Sequence, residues 1–237
     1  MPRAGFLALL VALAVSGCGG TSTVTATMEE PTTTTVPADP GRAVVDALWL
    51  AARQGNAEAL WALLSTSSKE RLGPTLKDFR KGLAAELKAG LGAFTSIRPI
   101  VSERITPEFG VVAIDGRRDG KRAVYAVALR IEGTSWKVEL GGPVKIRPIG
   151  PDPGARETVV AQVAAAVEGP GGTGTALMYV DGQTQTNLQT RGTSSNATLF
   201  ANFEPALDPG RHTVVVFASD GREASATAWA FTVAKKA

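Results

Sequence analysis

Apolar residues change their spacing once between residues 43 and 140, and that change dictates a two-part architecture there. Val44, Val45, Leu48, Trp49 and Ala52 recur on one face at helical spacing, followed by Leu60, Trp61, Leu63 and Leu64. Gln54-Gly55-Asn56 interrupts the run, which predicts two helices with Asn56 capping the second. Thr75 and Asp78 have the spacing of a capping box, and Leu76, Phe79, Leu83, Leu87, Leu91 and Phe94 line one side of a third helix. Further on the period becomes two. Residues 96–105, 109–117, 123–132 and 135–140 are rich in β-branched side chains, and Asp119-Gly120 is a strong hairpin signal. Tyr125, Val127, Leu129 and Ile131 alternate onto one face, as do Trp136, Val138 and Leu140, with Lys137 and Glu139 expected on the wet side. Helices followed by an antiparallel meander define an α+β layout.

This order, with ALWLAARQGNAEALWALLS early and EGTSWKVEL late, resembles the NTF2-like family of cone-shaped domains. The resemblance covers most of residues 42–147 and implies a cone whose interior either is packed or forms a cavity. Enzymes of that superfamily place acid/base groups such as Asp, His or Tyr inside the cone. Tyr125 is the interior-facing candidate here, with Asp46 on the first helix and Asp115 on a strand as possible carboxylates. The competing reading makes Tyr125 a core residue and both aspartates solvated. Trp49, Tyr125 and Trp136 are the possible cavity-lining residues, and Trp49, Trp61 and Trp136 read first as core.

PIGPDPGA at 148–155 marks a linker, so the first domain is expected at 41–149 and the linker proper at 150–155. Residues 156–237 then show short apolar runs broken by Gly, Asn, Asp and Pro, with Asp181-Gly182 and Asp220-Gly221 as turns. That is the spacing of a β-sandwich. LMYVDGQ at 177–183, LDPGRHTVVVFASDG at 207–221 and AWAFTV at 228–233 resemble bacterial Ig-like domains in the same order. The polar stretch 183–196 fits no strand that can be placed. Val159, Val160, Val163 and Val167 also satisfy helical spacing, so 158–167 reads as strand or helix.

The composition excludes several chemistries. Cys18 is the single cysteine and His212 the single histidine. Disulfides within the folded parts are therefore impossible, thiolate catalysis is unavailable, and zinc lacks its usual ligands. A Ser-His-Asp scheme would need His212 to find partners inside a sandwich, where the Ig-like resemblance implies local packing or hydrogen bonding instead. GPGGTG at 169–174 lacks a phosphate-binding lysine and reads as a loop. The formal charge of +3 from 25 basic and 22 acidic residues is too weak for a nucleic-acid footprint. No catalytic, metal or cofactor-binding residues are assigned. Asn196-Ala197-Thr198 matches a glycosylation sequon without carrying a functional reading.

The N-terminus carries location. Arg3 precedes an apolar run from Phe6 to Val15, and Val15-Ser16-Gly17-Cys18 resembles a bacterial lipobox. The resemblance implies cleavage after residue 17 and diacylation of Cys18. Other readings are a plain cleaved secretion signal, a retained anchor or an ordinary buried cysteine, but the run is about half the roughly twenty residues that a span needs. Residues 18–40, rich in Thr and Pro, form a low-complexity tether, and Thr32–Thr35 are compatible with O-glycosylation. The expectation is an extracytoplasmic lipoprotein, held to the cell membrane by its N-terminal lipid. It would act without catalysis as a binding or scaffold protein for an envelope protein or small ligand. The alternative is a small-molecule enzyme using the cone.

Overall fold

The computed structural model describes residues 41–235, so Cys18, the signal at 1–17 and the tether at 18–40 lie outside the described residues. The chain is mostly β-sheet with a short helical part at the start of the described region. Five helices come first: α1 (Gly41–Gln54), α2 (Ala57–Leu63), α3 (Thr66–Leu72), α4 (Leu76–Lys81) and α5 (Leu83–Ala89). Asn56 caps α2 by accepting from the Ala59 amide at 3.1 Å, and Thr75 caps α4 through the Asp78 amide at 3.2 Å. The single third helix expected over 76–94 is broken at Gly82 and Gly90, where the backbone leaves helical angles and no side chain caps. Helix α3 follows Ser65, whose hydroxyl accepts from the Ser68 amide.

The meander occupies the expected positions: β1 (Phe94–Arg104), β2 (Phe109–Arg118), β3 (Lys121–Glu132) and β4 (Ser135–Glu139), hydrogen-bonded in that order. Asp119 and Gly120 both have positive φ (52° and 75°), the backbone that a tight hairpin needs between β2 and β3. The segment at 64–68 covers the exposed edge of β4: Ser65 N–H donates to the Val138 carbonyl at 2.9 Å.

The remaining strands form two further sheets. One runs β10 (Gln189–Thr193), β11 (Asn196–Asn202), β7 (Gln162–Glu168), β5 (Lys145–Gly150). The other runs β6 (Arg156–Glu157), β13 (Ala224–Val233), β12 (Gly210–Ser219), β8 (Thr175–Val180), β9 (Gln183–Thr184). Val163, Val167, Leu199 and Ala201 from the first of these meet Val214, Val216, Trp229 and Phe231 from the second in one buried cluster, which makes them a β-sandwich.

Of the two readings of 158–167, the strand holds: Gln162–Glu168 form β7, which pairs on both sides, with β5 and β11. Two features differ from the sequence-based expectation. The polar stretch 183–196 supplies β9 and edge strand β10, whose residues are all exposed. Lys145–Gly150, expected in the first domain, is a strand of the sandwich, and the linker residues run along it. Gly154 N–H donates to the Ala230 carbonyl at 2.7 Å, Thr232 N–H to the Ala155 carbonyl at 2.9 Å, and the Trp229 indole to the Pro151 carbonyl at 3.0 Å.

Each of two sheets is buried on both faces. Val112, Ile114, Val127, Leu129, Trp136 and Val138 of the β1–β4 sheet pack under the helices with Leu48, Leu60, Leu64 and Phe79. Its opposite face, Val101, Phe109, Val111, Ala113, Ala126 and Ala128, packs against Tyr179, Val215, Phe217 and Ala224 of the β12 sheet. The order of layers is therefore helices, β1–β4 sheet, β12 sheet, β7 sheet. Gly182 sits at the contact between the middle two. Its φ is 80°, and a Cβ there would lie 2.8 Å from the Ile100 carbonyl.

The seam predicts one cooperative unit. Truncating a buried phenylalanine costs about 3–5 kcal/mol. Phe217→Ala should therefore lower the melting of the helix-covered sheet as well as that of the sandwich. Tryptophan fluorescence reports mainly the first part, where Trp49, Trp61 and Trp136 lie, and far-UV circular dichroism reports the sheets. Both should shift together; a fluorescence midpoint left at its wild-type value would contradict the shared seam.

Candidate functional site

Under the helices, the residues expected to line a cone are largely packed. Trp136 is buried and Trp49 half-buried, its indole donating to the Phe94 carbonyl at 3.0 Å. The Trp61 indole donates to the Gly73 carbonyl at 3.3 Å, with Lys69 over its ring. Tyr125 lines a recess of about 390 Å³ together with Leu83, Leu87, Leu91, Leu140 and Glu86. Burial pushes the Tyr125 phenol up to about 12, so it is neutral across the physiological range.

The carboxylates expected to join Tyr125 do not meet it. Ile114 pairs with Tyr125 and faces the helices. Asp115, one residue on, therefore points to the opposite face. Asp115 is also not solvated: it is 4% exposed and ringed by arginines. Arg98 approaches Oδ2 at 3.3 Å, Arg122 donates to the same oxygen, and Arg211 from β12 lies 3.3 Å from Oδ1. Asp46 is half-buried on α1.

Glu139 corrects the wet-side expectation. Its side chain has no exposed surface. Strand alternation gives it the same face as its partner Ala128, and that face is the seam. Ser67 Oγ and Arg71 Nη2 each donate to Oε1 at 2.8 Å, and Arg130 Nε to Oε2 at 3.1 Å. Arg71 Nη1 also reaches Glu223 Oε2, at the β12–β13 turn, at 2.7 Å. Arg130 stacks over Phe109 and donates to the Arg222 carbonyl. Burial alone would raise the Glu139 pKa, but hydrogen bonds with Glu223, Ser65, Arg71 and Ser67 more than offset it and hold it below 4.5. Burial, and then the Glu139 carboxylate, push Glu223 the other way. The pair thus keeps one charge firmly and the second reluctantly.

His212 is buried in the sandwich. Its Nδ1 lies 2.7 Å from Asp181 Oδ2, its Nε2 2.7 Å from the Asp208 carbonyl, and its ring 5.5 Å from that of Phe231. Asp181 also accepts from the Thr213 amide at 2.8 Å, so His212 belongs to a clamp holding the β8–β9 turn to β12. Among the described residues, no group of three His, Cys, Asp or Glu side chains is placed to hold a metal ion, and no helix is long and apolar enough to cross a membrane.

No family model and no curated protein matches the chain. Among solved structures it is similar to an endo-β-1,4-mannanase from Thermotoga petrophila, at 14% identity and TM-score 0.33, over 41% of this chain and 21% of that one. It is similar to the fibronectin(III)-like modules of CbhA from Clostridium thermocellum, at 15% identity and TM-score 0.29, over 56% and 67% of the respective chains. It is also similar to a titin fragment, A168169, at 11% identity and TM-score 0.30, over 60% and 98%. The chain spans about a fifth of the mannanase. Likenesses of this size carry no activity across, and the sandwich rests on the strand pairing itself.

Glu139 and Glu223 should respond oppositely to neutralisation. Glu139→Gln leaves Arg71 and Arg130 without their buried counter-charge, a change that typically costs about 3–5 kcal/mol. Glu223→Gln removes a partly exposed carboxylate that repels Glu139 and should change neutral-pH stability little. The Glu139 pKa is lowered by folding, so its contribution is present above 4.5 and fades as pH falls through the folded value. The Glu223 pKa is raised, so stability declines as pH rises from 4.5 to its folded value. Denaturant unfolding between pH 3 and 8 should show a shallower acid limb in Glu139→Gln, and no decline above 4.5 from this site in Glu223→Gln. Equal effects of the two substitutions would contradict the assignment.

Proposed function

We propose that the chain is a cell-envelope lipoprotein, tethered to the outer face of the membrane through Cys18, that acts without catalysis as a binding or scaffold protein. The helix-covered sheet would be of the NTF2-like type and the sandwich of the bacterial Ig-like type. The observation that carries the non-catalytic reading is the packing under the helices. Leu48, Leu60, Phe79, Trp136 and Val138 fill that interior, and the recess left beside Tyr125 is walled mainly by leucines. An acid/base site needs at least two converging polar groups with tuned pKa values near a reacting atom, and this recess sets a phenol that burial keeps neutral beside the solvent-exposed Glu86. Asp115, the strand carboxylate expected to serve Tyr125, lies on the other face of its sheet and is engaged by arginines.

The tether reading rests on the residues around Cys18. Several acyl chains on one residue hold a protein firmly at a bilayer, because each buried methylene contributes about 0.8 kcal/mol. Folded layers with no internal disulfide fit an envelope protein that depends on its cores alone.

Metabolic labelling with a fatty-acid analogue tests the anchor. Wild type should carry label and fractionate with membranes. Cys18→Ala should be unlabelled and either released or unprocessed. An unlabelled wild-type protein would overturn the lipoprotein reading.

A further inference from the structure

The Asp115 cluster is more than a seam ion pair. Beside it, on the sandwich-facing side of the β1–β4 sheet, opens a recess of about 390 Å³ lined by Ser96, Arg98, Asp115, Gly116, Arg117 and Arg122, among others. Strand register places these groups together: Arg98 pairs with Asp115, Ser96 with Arg117, and Arg117 with Arg122. Arg211 enters from β12. Three guanidinium groups, those of Arg98, Arg122 and Arg211, therefore engage one carboxylate, and Arg117 lines the recess beside them, donating to the Gly120 carbonyl at 3.4 Å. Asp115 is nine-tenths buried and saturated with cations, whereas Arg98 and Arg122 remain 70% and 51% exposed at the mouth. Arg211 is pressed by burial and by the like charge of Arg122, with Asp115 and Asp181 opposing.

One carboxylate cannot neutralise three guanidinium groups, and Arg117 adds a further positive charge to the recess. The surplus is concentrated in a concave site whose walls exclude part of the solvent, where attraction of an anion is stronger than on an open surface. Guanidinium groups converging from three strands of one sheet and from a second sheet suit an oxyanion with several acceptor oxygens better than a single carboxylate. We propose that this recess is a binding site for a phosphate group, the phosphate seated between Arg98, Arg117 and Arg122, with Asp115 fixing the arginines from behind. The inference gives a ligand class to the binding reading above and rests on that reading. Its test uses purified protein, so it succeeds or fails independently of the lipid anchor.

The test is calorimetric titration of the full chain with inorganic phosphate and, separately, with glycerol 3-phosphate. The site predicts saturable one-to-one binding; a preference for the ester over the free ion identifies an esterified ligand, and equal affinity a free one. Arg98→Gln and Arg122→Gln should each weaken binding about tenfold, the scale of losing a charge-assisted hydrogen bond. Lys121→Gln, on the same hairpin but outside the recess, lowers net charge equally and should leave affinity unchanged. Thermal melts confirm that each variant is folded. Any variant that does not fold is replaced by Arg117→Gln, which should weaken binding similarly. Absence of saturable binding by either probe at about ten millimolar would overturn the proposal. So would equal losses in Lys121→Gln and Arg98→Gln, the signature of non-specific charge attraction.

Discussion

The fold of residues 41–235 depends on the contact between its two middle sheets. The β1–β4 sheet has helices on one side and the β12 sheet on the other, and the β12 sheet is covered in turn by the β7 sheet. At the contact, Phe109, Val111 and Val101 meet Phe217, Val215 and Tyr179. Ala113, Ala126, Ala128 and Ala224 fill the same layer with small side chains that let the sheets approach. Exposing such a face would cost about 1.5–3 kcal/mol for each large side chain. Neither half keeps its apolar surface from water without the other.

That contact also explains the charged groups. Strand alternation is strict, so a residue next to one that faces the helices must face the seam. Asp115 and Glu139 are placed there by their position in the strand, and a buried carboxylate is tolerated only when paired and hydrogen-bonded. Arg71 and Arg130 answer Glu139 at one part of the seam, with Arg71 also reaching Glu223, and Arg98, Arg122 and Arg211 answer Asp115 at another. Tyr179 adds a hydrogen bond to Glu103 at 2.7 Å. Together these groups set a polar border around an apolar centre, the usual anatomy of a specific interface. At Asp115 the cations outnumber the carboxylate, and the same border becomes a candidate site.

Much of this was legible in the residues, and the rest was hidden for a physical reason. The meander strands, the Asn56 and Thr75 caps, the Asp119-Gly120 hairpin and the β11–β13 strands follow from local spacing and turn chemistry. Local patterns decide such features. The expected third helix divides because Gly82 and Gly90 interrupt an otherwise continuous apolar stripe. Strand β5 precedes the Pro/Gly segment yet pairs with β7 beyond it, because a strand's partner depends on distant residues. Alternation shows which residues share a face, but not what covers the second face. Ala126 and Ala128 alternate with Val127 and Leu129 and so share the second face. The unbroken run Val214-Val215-Val216-Phe217-Ala218 was the available sign of a strand buried on both sides. Read with those alanines, it would have moved Glu139 and Asp115 out of solvent.

The most direct test of the account is native-state hydrogen exchange resolved to single amides, followed with increasing denaturant. The amides of β2 and β3 at 111–116 and 124–129 should open with the same free energy as those of β12 at 214–218, because each sheet loses its cover when the other unfolds. Protection of the β12 amides persisting after the β2 and β3 amides have exchanged would show that the sandwich stands alone, and would contradict the shared seam.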